Sequence, residues 1–246
     1  MAIRKTEAII LRRQEIRETS LVLTAFSREI GKFLGLIKGV RGMPGAAPWF
    51  VEPLTLQSVV LYERKRSPWA LVSVCDLLDP FDPIRRDLRR TAHAAVCLDL
   101  VDAMTEPWDS HPEIFELLLN VLKGMARGGD SAALVPVLEA RLLQASGLLP
   151  DTESLPLSPE GKGWLKEALQ SPVEELRFIP PAGSAEAQIG RVLQGLCARA
   201  TERPLKSRIF LHSIDPTSTR PSSLSHALRD SSGFATGMTR SGVAAK

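Results

Sequence analysis

The chain is poor in cysteine and has no long apolar run. Its 246 residues contain three cysteines, Cys75, Cys97 and Cys197, with no C-x-x-C pair. This argues against a disulfide framework and a zinc knuckle, and it favours a reducing cytoplasm. No stretch approaches the roughly 18 apolar residues that a membrane span needs. The opening MAIRKTEAII does not have the pattern of a signal peptide. We therefore expect a cytoplasmic protein with no membrane association.

Motifs of catalysis and nucleotide binding are missing as well. The sequence contains no G-x-x-x-x-G-K-[ST], no G-x-G-x-x-G after a strand and no G-x-S-x-G. His93 and Cys97 stand one helical turn apart, but that face offers no third ligand or acidic partner, so we interpret them as packing residues. A binding protein is therefore favoured over an enzyme. Two carboxylate pairs, Asp99 with Asp102 and Glu174 with Glu175, are interpreted as solvated helix faces. Glu174 can alternatively be the third residue of a capping box after Ser171.

The segment from Thr6 to Arg41 predicts three consecutive strands. Apolar residues alternate with charged or hydroxyl residues through TEAIILRRQEIRETSLVLTAFSREIGKFLGLIKGVR, which is the period of a half-buried strand. Short polar breaks fall at 15–19 and 29–31. Glycines at positions 31, 35 and 39 share one strand face, where a missing side chain lets a sheet curl or another backbone approach closely.

Two further strands are predicted before residue 80. Residues 42–49 (GMPGAAPW) form a glycine- and proline-rich loop, 53–63 alternate as a fourth strand, and 69–78 follow the basic turn RKRSP as a fifth. Five short strands without intervening helices indicate a Greek-key barrel such as the oligonucleotide-binding (OB) fold, although other small barrels remain possible on pattern alone.

The hydrophobic period changes to 3.6 after Asp79-Pro80. One helix is predicted from Asp82 through Val101, and a second is predicted to begin with a capping box, Ser110 to Glu113. Further helices are predicted after Asp130, after Ser158 and over 184–201. The fold class is therefore α+β, with an OB barrel at 1–80, an all-helical domain at 81–212 and a disordered basic tail at 213–246.

Charge is divided unevenly along the chain. Residues 1–80 carry 12 basic and 8 acidic side chains, residues 81–198 carry 11 and 17, and residues 199–246 carry 8 and 3. A basic barrel and a basic tail on either side of an acidic centre suit a protein whose ends approach polyanions. A merely solvated surface would explain the same balance equally well.

An ordered set of segments resembles the RecO family of bacterial recombination-mediator and DNA-repair proteins. The opening EAIILRRQEIRETSLVLTAFSREIGKFLGLIKGVR is similar to the start of that family. LEARLL at 138–143, LSPEG at 157–161 and RPLKSRIFL at 203–211 resemble its later landmarks. The resemblance spans about residues 6–211 in the expected order.

This resemblance implies an OB barrel joined to a helical domain, without enzymatic turnover. Family members bind single- and double-stranded DNA and anneal complementary strands. They act in the RecF pathway of homologous recombination, where with RecR they help load RecA onto strands coated by single-strand-binding protein. The implied partners are DNA, RecR, the acidic tail of single-strand-binding protein and, indirectly, RecA, and the implied location is the cytoplasm, at the nucleoid. A different class remains open: an interaction adaptor whose barrel does not bind nucleic acid significantly.

Basic residues at the barrel and on the helices are the candidate binding sites. Lys/Arg on barrel strands and loops neutralise phosphates without reading sequence, and the tail of single-strand-binding protein needs an apolar pocket bordered by basic groups. We expect DNA at Lys32, Lys38, Arg41, Arg64, Lys65 and Arg66, with a possible extension along Arg85, Arg86, Arg89 and Arg90, and the tail at Lys123, Arg127 and Arg141. Alternation is expected to point Lys32 and Lys38 outward, opposite Phe33 and Ile37.

The chain departs from many members of the family at residues 149–157. Those members carry four cysteines there as a zinc module, whereas this interval is LPDTESLPL. Because four soft ligands at zinc spacing are absent from the sequence, we predict no metal and no other cofactor. Elemental analysis of the purified protein is expected to give well under one zinc per chain, and a stoichiometric zinc would contradict this prediction.

Overall fold

The structure, a computed structural model, describes residues 2–16, 20–38, 51–63, 67–171, 184–201 and 203–214. Five strands occupy the N-terminal third, as the alternating pattern predicts. The strands are β1 (Ile3–Ile16), β2 (Ser20–Ser27), β3 (Gly31–Lys38), β4 (Leu56–Tyr62) and β5 (Trp69–Asp79).

The strands close into a barrel in the order β1-β2-β3-β5-β4. All neighbouring pairs are antiparallel except β3 with β5, which is parallel over Leu34–Leu36 and Trp69–Leu71. A bulge in β1 between Ile10 and Arg12 bends the strand that pairs on both sides. This is the five-stranded Greek-key arrangement of an OB fold, so the predicted fold class is confirmed.

Apolar side chains at alternate strand positions fill the barrel interior. Leu23 and Phe33 are fully buried there, together with Val59 and Ala70. At Gly35 a Cβ would lie 2.7 Å from a Val72 methyl group. The missing side chain therefore allows the close approach that the sequence predicts at this position.

Seven helices follow the barrel within the described residues. None of them has the length and apolarity that a membrane span requires. The helices are α1 (Asp82–Arg85), α2 (Leu88–Met104), α3 (Pro112–Ala126), α4 (Ser131–Ala145), α5 (Pro159–Gln170), α6 (Ser184–Ala200) and α7 (Lys206–Ile214), with a 3-10 turn at Thr152–Ser154.

Two predicted helix caps are confirmed, whereas the length of the first helix and the capping box of the second were predicted wrongly. Asp130 and Ser158 cap α4 and α5 through their side chains. The helix predicted from Asp82 to Val101 is instead two helices, because the Asp87 side chain accepts the backbone N–H of Arg90 (3.0 Å) and starts a new helix there. The predicted capping box is absent: Ser110 Oγ donates to the carbonyl of Arg28 (3.1 Å), and α3 has no side-chain cap.

The predicted tail also begins too early. Ser213 and Ile214 belong to the last turn of α7, a helix that the sequence analysis did not predict. Residues 215–246 lie outside the described part of the chain.

A second hydrophobic core joins the barrel to the helices. Ile9 and Phe26 point away from the barrel interior and are fully buried against helices α2 and α3. Phe26 lies 6.5 Å from the ring of Phe115. Arg28 then places its guanidinium 5.2 Å above that ring and 2.7 Å from the Glu116 carboxylate. The helical domain thus packs directly on one side of the barrel.

The segment between α2 and α3, residues 105–111, crosses the β2–β3 turn and adds backbone contacts to this junction. Pro107 bridges to Lys32, and the N–H of Trp108 donates to the carbonyl of Lys32 at 2.7 Å. Gly31 has φ +76, and a Cβ there would overlap the carbonyl oxygen of Asp109. Glycine is therefore required at this point by both conformation and space.

We predict that Gly31→Ala lowers the free energy of unfolding by about 2 kcal/mol or more, because the added methyl meets a positive φ and a backbone oxygen. Urea unfolding would measure the change. Gly163→Ala is the matched control: it lies within α5 with nothing inside 4 Å of its Cβ position. Alanine there is expected to raise stability by up to about 1 kcal/mol. Equal stabilities for wild type and Gly31→Ala would contradict the prediction.

Candidate nucleic-acid interface

The outward side of β1, β2, β3 and β5 forms a continuous sheet surface, which we call the outer face. Ala70 and Gly35 point into the barrel, so their neighbours along each strand point out. On this side Ile9 and Phe26 are buried in the core shared with the helices. Beyond them the rows in register are Arg12–Thr24–Leu34–Trp69 and Gln14–Val22–Leu36–Leu71, with Ser20 and Lys38 at the far end.

Lys38 is the exposed cation at the far end of the outer face. It pairs with Ser20 and follows Ile37, which packs against the barrel core. Its outward orientation is the predicted one. An exposed ammonium group on this part of an OB barrel is suited to a backbone phosphate.

Lys32 has a different environment from the predicted one. Its side chain does point out of the barrel, but only 12% of it is exposed, because it enters the junction with α2. There Nζ donates to the carbonyl of Asp102 at 2.5 Å and lies 3.6 Å from the carboxylate of the same residue. Lys32 thus points outward as alternation predicts, but the end of α2 covers it and neutralises its charge. Its predicted contact with DNA stays a prediction.

The other predicted DNA contacts at the barrel lie outside the described residues. They are Arg41, Arg64, Lys65 and Arg66.

The four arginines at the start of the helical domain have separate environments. Arg85 donates to the carbonyls of Pro53 (2.5 Å), Leu54 (2.9 Å) and Pro80 (2.9 Å), and so holds α1 against the chain entering β4. Arg90 lies 3.8 Å from the Asp87 carboxylate. Arg86 and Arg89 are exposed. This corner adjoins the entry of β4, which is not among the four strands of the outer face.

The three candidates for the partner tail are not brought together. Lys123 and Arg127 stand one turn apart on α3, half-buried and exposed respectively. Arg141 lies on α4, and its guanidinium donates to the carbonyls of Ala168 and Ser171 at the end of α5. Arg141 thus satisfies the last carbonyls of a helix, where a cation is favoured.

Asp99 and Asp102 are not the solvated helix face that the sequence suggested. Their side chains are only 19% and 11% exposed, and they receive cations from the barrel and from the segment before α7. Arg12 contacts both carboxylates, at 3.1 and 2.8 Å, and Arg203 contacts Asp102 at 3.2 Å. Asp99 also accepts the N–H of Ser207 at the start of α7 (3.1 Å).

Sequence reasoning missed Arg12, Arg203 and Trp69 as members of this region. Arg12 and Trp69 occupy outward positions of strands, so strict alternation could have indicated both. Arg203 carries no such signal, because the fold alone brings it to a carboxylate 101 residues away in sequence.

His93 and the three cysteines are shielded from solvent to different degrees. His93 Nδ1 bonds the hydroxyl of Ser131 at 2.8 Å, and both residues are buried. Burial raises the pKa of the Cys97 thiol to about 12, and the same cause raises the pKa values of Cys75 and Cys197 to about 12. All three thiols are therefore protonated at neutral pH, which suits packing rather than nucleophilic or metal chemistry.

The later sequence landmarks hold helices together. Glu139 on α4, fully buried, forms an ion pair with Arg208 on α7, and Leu205 and Leu211 enter the second core. Leu155 and Leu157, at the end of the interval 149–157, are buried in the same core. Glu153 lies 2.6 Å from Lys166 and 3.4 Å from Lys162, and their hydrogen bonds lower the pKa of its carboxyl.

Comparison with known protein families gives matches to the barrel and to the first part of the helical region. A family model described as "Recombination protein O N terminal" matches residues 1–81, and one described as "Recombination protein O C terminal" matches residues 85–154. The chain belongs to the RecO family.

Several RecO relatives align over much of the chain. It is 28% identical over 164 residues to "DNA repair protein RecO" of Syntrophus aciditrophicus, covering 65% of this chain and 63% of the relative. It is 31% identical over 153 residues to the protein of that name from Pelotomaculum thermopropionicum (62% and 59%) and 29% identical over 147 residues to that of Bacillus subtilis (60% and 57%). The chain thus spans about three fifths of the length of these relatives.

Proposed function

We propose that this RecO-family chain acts in DNA repair and homologous recombination as a mediator that binds DNA. It binds single and double strands, anneals complementary strands and, with RecR, helps load RecA onto strands coated by single-strand-binding protein. The observation that carries this proposal is the outer face of an OB barrel, which ends at the exposed Lys38. Within the described residues its Thr24, Leu34 and Leu36 are partly exposed. The relatives described above are each named DNA repair protein RecO, which supports the same role.

The composition of the outer face favours an electrostatic hold on the strand. Trp69 is its one aromatic side chain within the described rows, so stacking of successive bases contributes little there. Leu34, Leu36 and Leu71 offer an apolar surface to sugars and bases instead. Cations that bind phosphate do not distinguish sequences and accept duplex as well as single strands. An annealing factor needs both properties.

The remaining parts of the proposal come from family membership. RecR and the acidic tail of single-strand-binding protein are the proposed direct partners, RecA is affected indirectly, and the proposed location is the cytoplasm, at the nucleoid. We propose a mediator without catalytic turnover. The proposed division of labour assigns DNA to the barrel at 1–80 and the tail of single-strand-binding protein to the helical domain at 81–212.

A second candidate function, an interaction adaptor, is favoured by one patch on the barrel. Ile3 is 65% exposed and Val74 is 42% exposed. They occupy neighbouring rows of β1 and β5 on either side of β4, across Tyr62 and Val60. Exposed apolar side chains that cluster on one surface are typical of protein docking sites. If the barrel binds only protein, the DNA experiment below gives no binding for the wild type.

We predict that Lys38→Ala combined with Arg41→Ala weakens DNA binding for all sequences alike. Each phosphate contact contributes about 0.7 to 0.9 to the slope of log affinity against log salt, so the slope is expected to flatten by roughly one to two units. Filter binding with labelled single- and double-stranded DNA across a salt series would measure it. Lys5→Ala combined with Arg199→Ala removes two exposed cations elsewhere and is expected to leave the slope unchanged.

The outcomes of this experiment separate the two candidates. A wild type that does not bind DNA would support the adaptor function. A Lys38/Arg41 variant with wild-type affinity and slope would remove the DNA site from this end of the barrel.

We predict that Lys123→Glu combined with Arg127→Glu weakens binding of the tail of single-strand-binding protein, because each reversal sets a negative charge against the acidic peptide. The affinity is expected to fall by about tenfold or more, which corresponds to roughly 1.4 kcal/mol. The two positions share one face of α3, one turn apart, so both reversals meet the acidic peptide. Titration of a labelled tail peptide would measure the affinity. Arg191→Glu with Arg199→Glu on α6 is the matched control, and equal losses in both variants would exclude a specific site on α3.

A further inference from the structure

Two arginines from different parts of the chain converge on one oxygen atom. Nη2 of Arg12, on β1, lies 2.8 Å from Oδ2 of Asp102. Nη2 of Arg203, before α7, lies 3.2 Å from the same oxygen. Two donors that share one acceptor atom hold their guanidinium groups side by side, although one belongs to the barrel and the other to the helical domain.

The charges at this point are layered. Arg12 and Arg203 have 44% and 47% of their side chains exposed, whereas Asp99, Asp102 and Lys32 beneath them have 19%, 11% and 12%. Three cations therefore accompany two carboxylates, and the positive groups form the solvent side of the cluster. The N-terminus of α7, bonded to Asp99 through Ser207, adds a further partial positive charge.

Each arginine has hydrogen-bonding capacity beyond its contacts with the carboxylates. Arg12 and Arg203 reach them through Nη2, whereas a guanidinium presents five N–H donors in a planar fork. The carboxylates fix the inner edge of each fork. The outer edges can accept the planar, bidentate approach that arginine makes to phosphate.

The arginine pair stands at the foot of the outer face. Arg12 pairs with Thr24 of β2, and Lys38 pairs with Ser20 of the same strand. Thr24 and Ser20 are four residues apart. At about 3.3 Å per residue the two ends of the face lie about 13 Å apart. A strand lying between them would meet cations at both ends, with the partly exposed Thr24, Leu34 and Leu36 between.

We propose that Arg12 and Arg203 together form a phosphate-binding clamp between the barrel and the helical domain, and that its ligand is the sugar-phosphate backbone of a nucleic-acid strand. The clamp rests on the proposed DNA-binding function and adds a site that neither domain contains by itself. It directs a strand along the outer face from the interdomain junction toward Lys38. An ion-pair network with a structural role alone would leave DNA binding insensitive to the two exposed guanidinium groups.

The test is filter binding of labelled single-stranded DNA over a salt series with Arg12→Gln combined with Arg203→Gln. Loss of two phosphate contacts is expected to flatten the salt slope for single-stranded DNA by about 1.4 units and to lower the affinity at low salt by at least about tenfold. Arg12→Lys combined with Arg203→Lys retains both charges and is expected to retain the slope. Arg4→Gln with Arg199→Gln is the control, because it removes two exposed arginines outside the cluster.

Each outcome is decisive for the clamp. A glutamine pair with the wild-type slope overturns it, even if the affinity falls, because a structural role alone would produce that pattern. Circular dichroism reports the fold of each variant. If the glutamine pair does not fold, Arg203→Gln alone is measured, with an expected flattening of about 0.7, and an unchanged slope overturns the clamp. Failure of the wild type to bind DNA would instead overturn the proposed function.

Discussion

The junction between strand β3 and the end of helix α2 determines how the two halves of the protein meet. Lys32 donates to the carbonyl of Asp102 while its own carbonyl accepts the N–H of Trp108. A side chain and a backbone group of one strand residue therefore bond to the last turn of α2 and to the segment that follows it. Gly31 lets that segment approach closely, and the buried Phe26 and Phe115 pack beside it. Because these contacts include backbone hydrogen bonds, they restrict the orientation of the helices on the barrel more than side-chain ion pairs alone would.

The basic residues of the chain have two kinds of environment. Some cations stabilise the fold: Lys32 and Arg85 donate to backbone carbonyls, Arg141 to the end of a helix, and Arg208 pairs with a buried carboxylate. Others, such as Lys38, are exposed. Net charge does not distinguish the groups, although only exposed cations can neutralise phosphate and release counterions. The +4 balance of the N-terminal 80 residues therefore overstates the charge that the barrel offers to a ligand.

Local pattern predicts much of this fold, and long-range contacts account for the failures. The five strands follow from period-2 alternation, and Asp130 and Ser158 begin helices as capping residues do. By contrast, the burial of Lys32 depends on Asp102, 70 residues away, and the pairing of Arg12 depends on Asp99, 87 residues away. Alternation indicates that both side chains leave the barrel but not what covers them. The break between α1 and α2 escaped prediction because Asp87 lies within an otherwise continuous helical pattern.

The second core makes the barrel and the helices depend on one another for solubility. Ile9, Phe26, Leu54 and Leu56 belong to the barrel, but their side chains are buried in the core shared with the helices. A fragment ending after β5 would present these residues to water as one contiguous apolar surface, which is a typical cause of aggregation. Removal of α7 would also remove Arg208, which would leave the buried carboxylate of Glu139 on α4 without its ion-pair partner. We therefore expect the described part of the chain to fold as one unit, so that the proposed assignment of nucleic acid to the barrel and of a partner to the helices divides surfaces and not folding units.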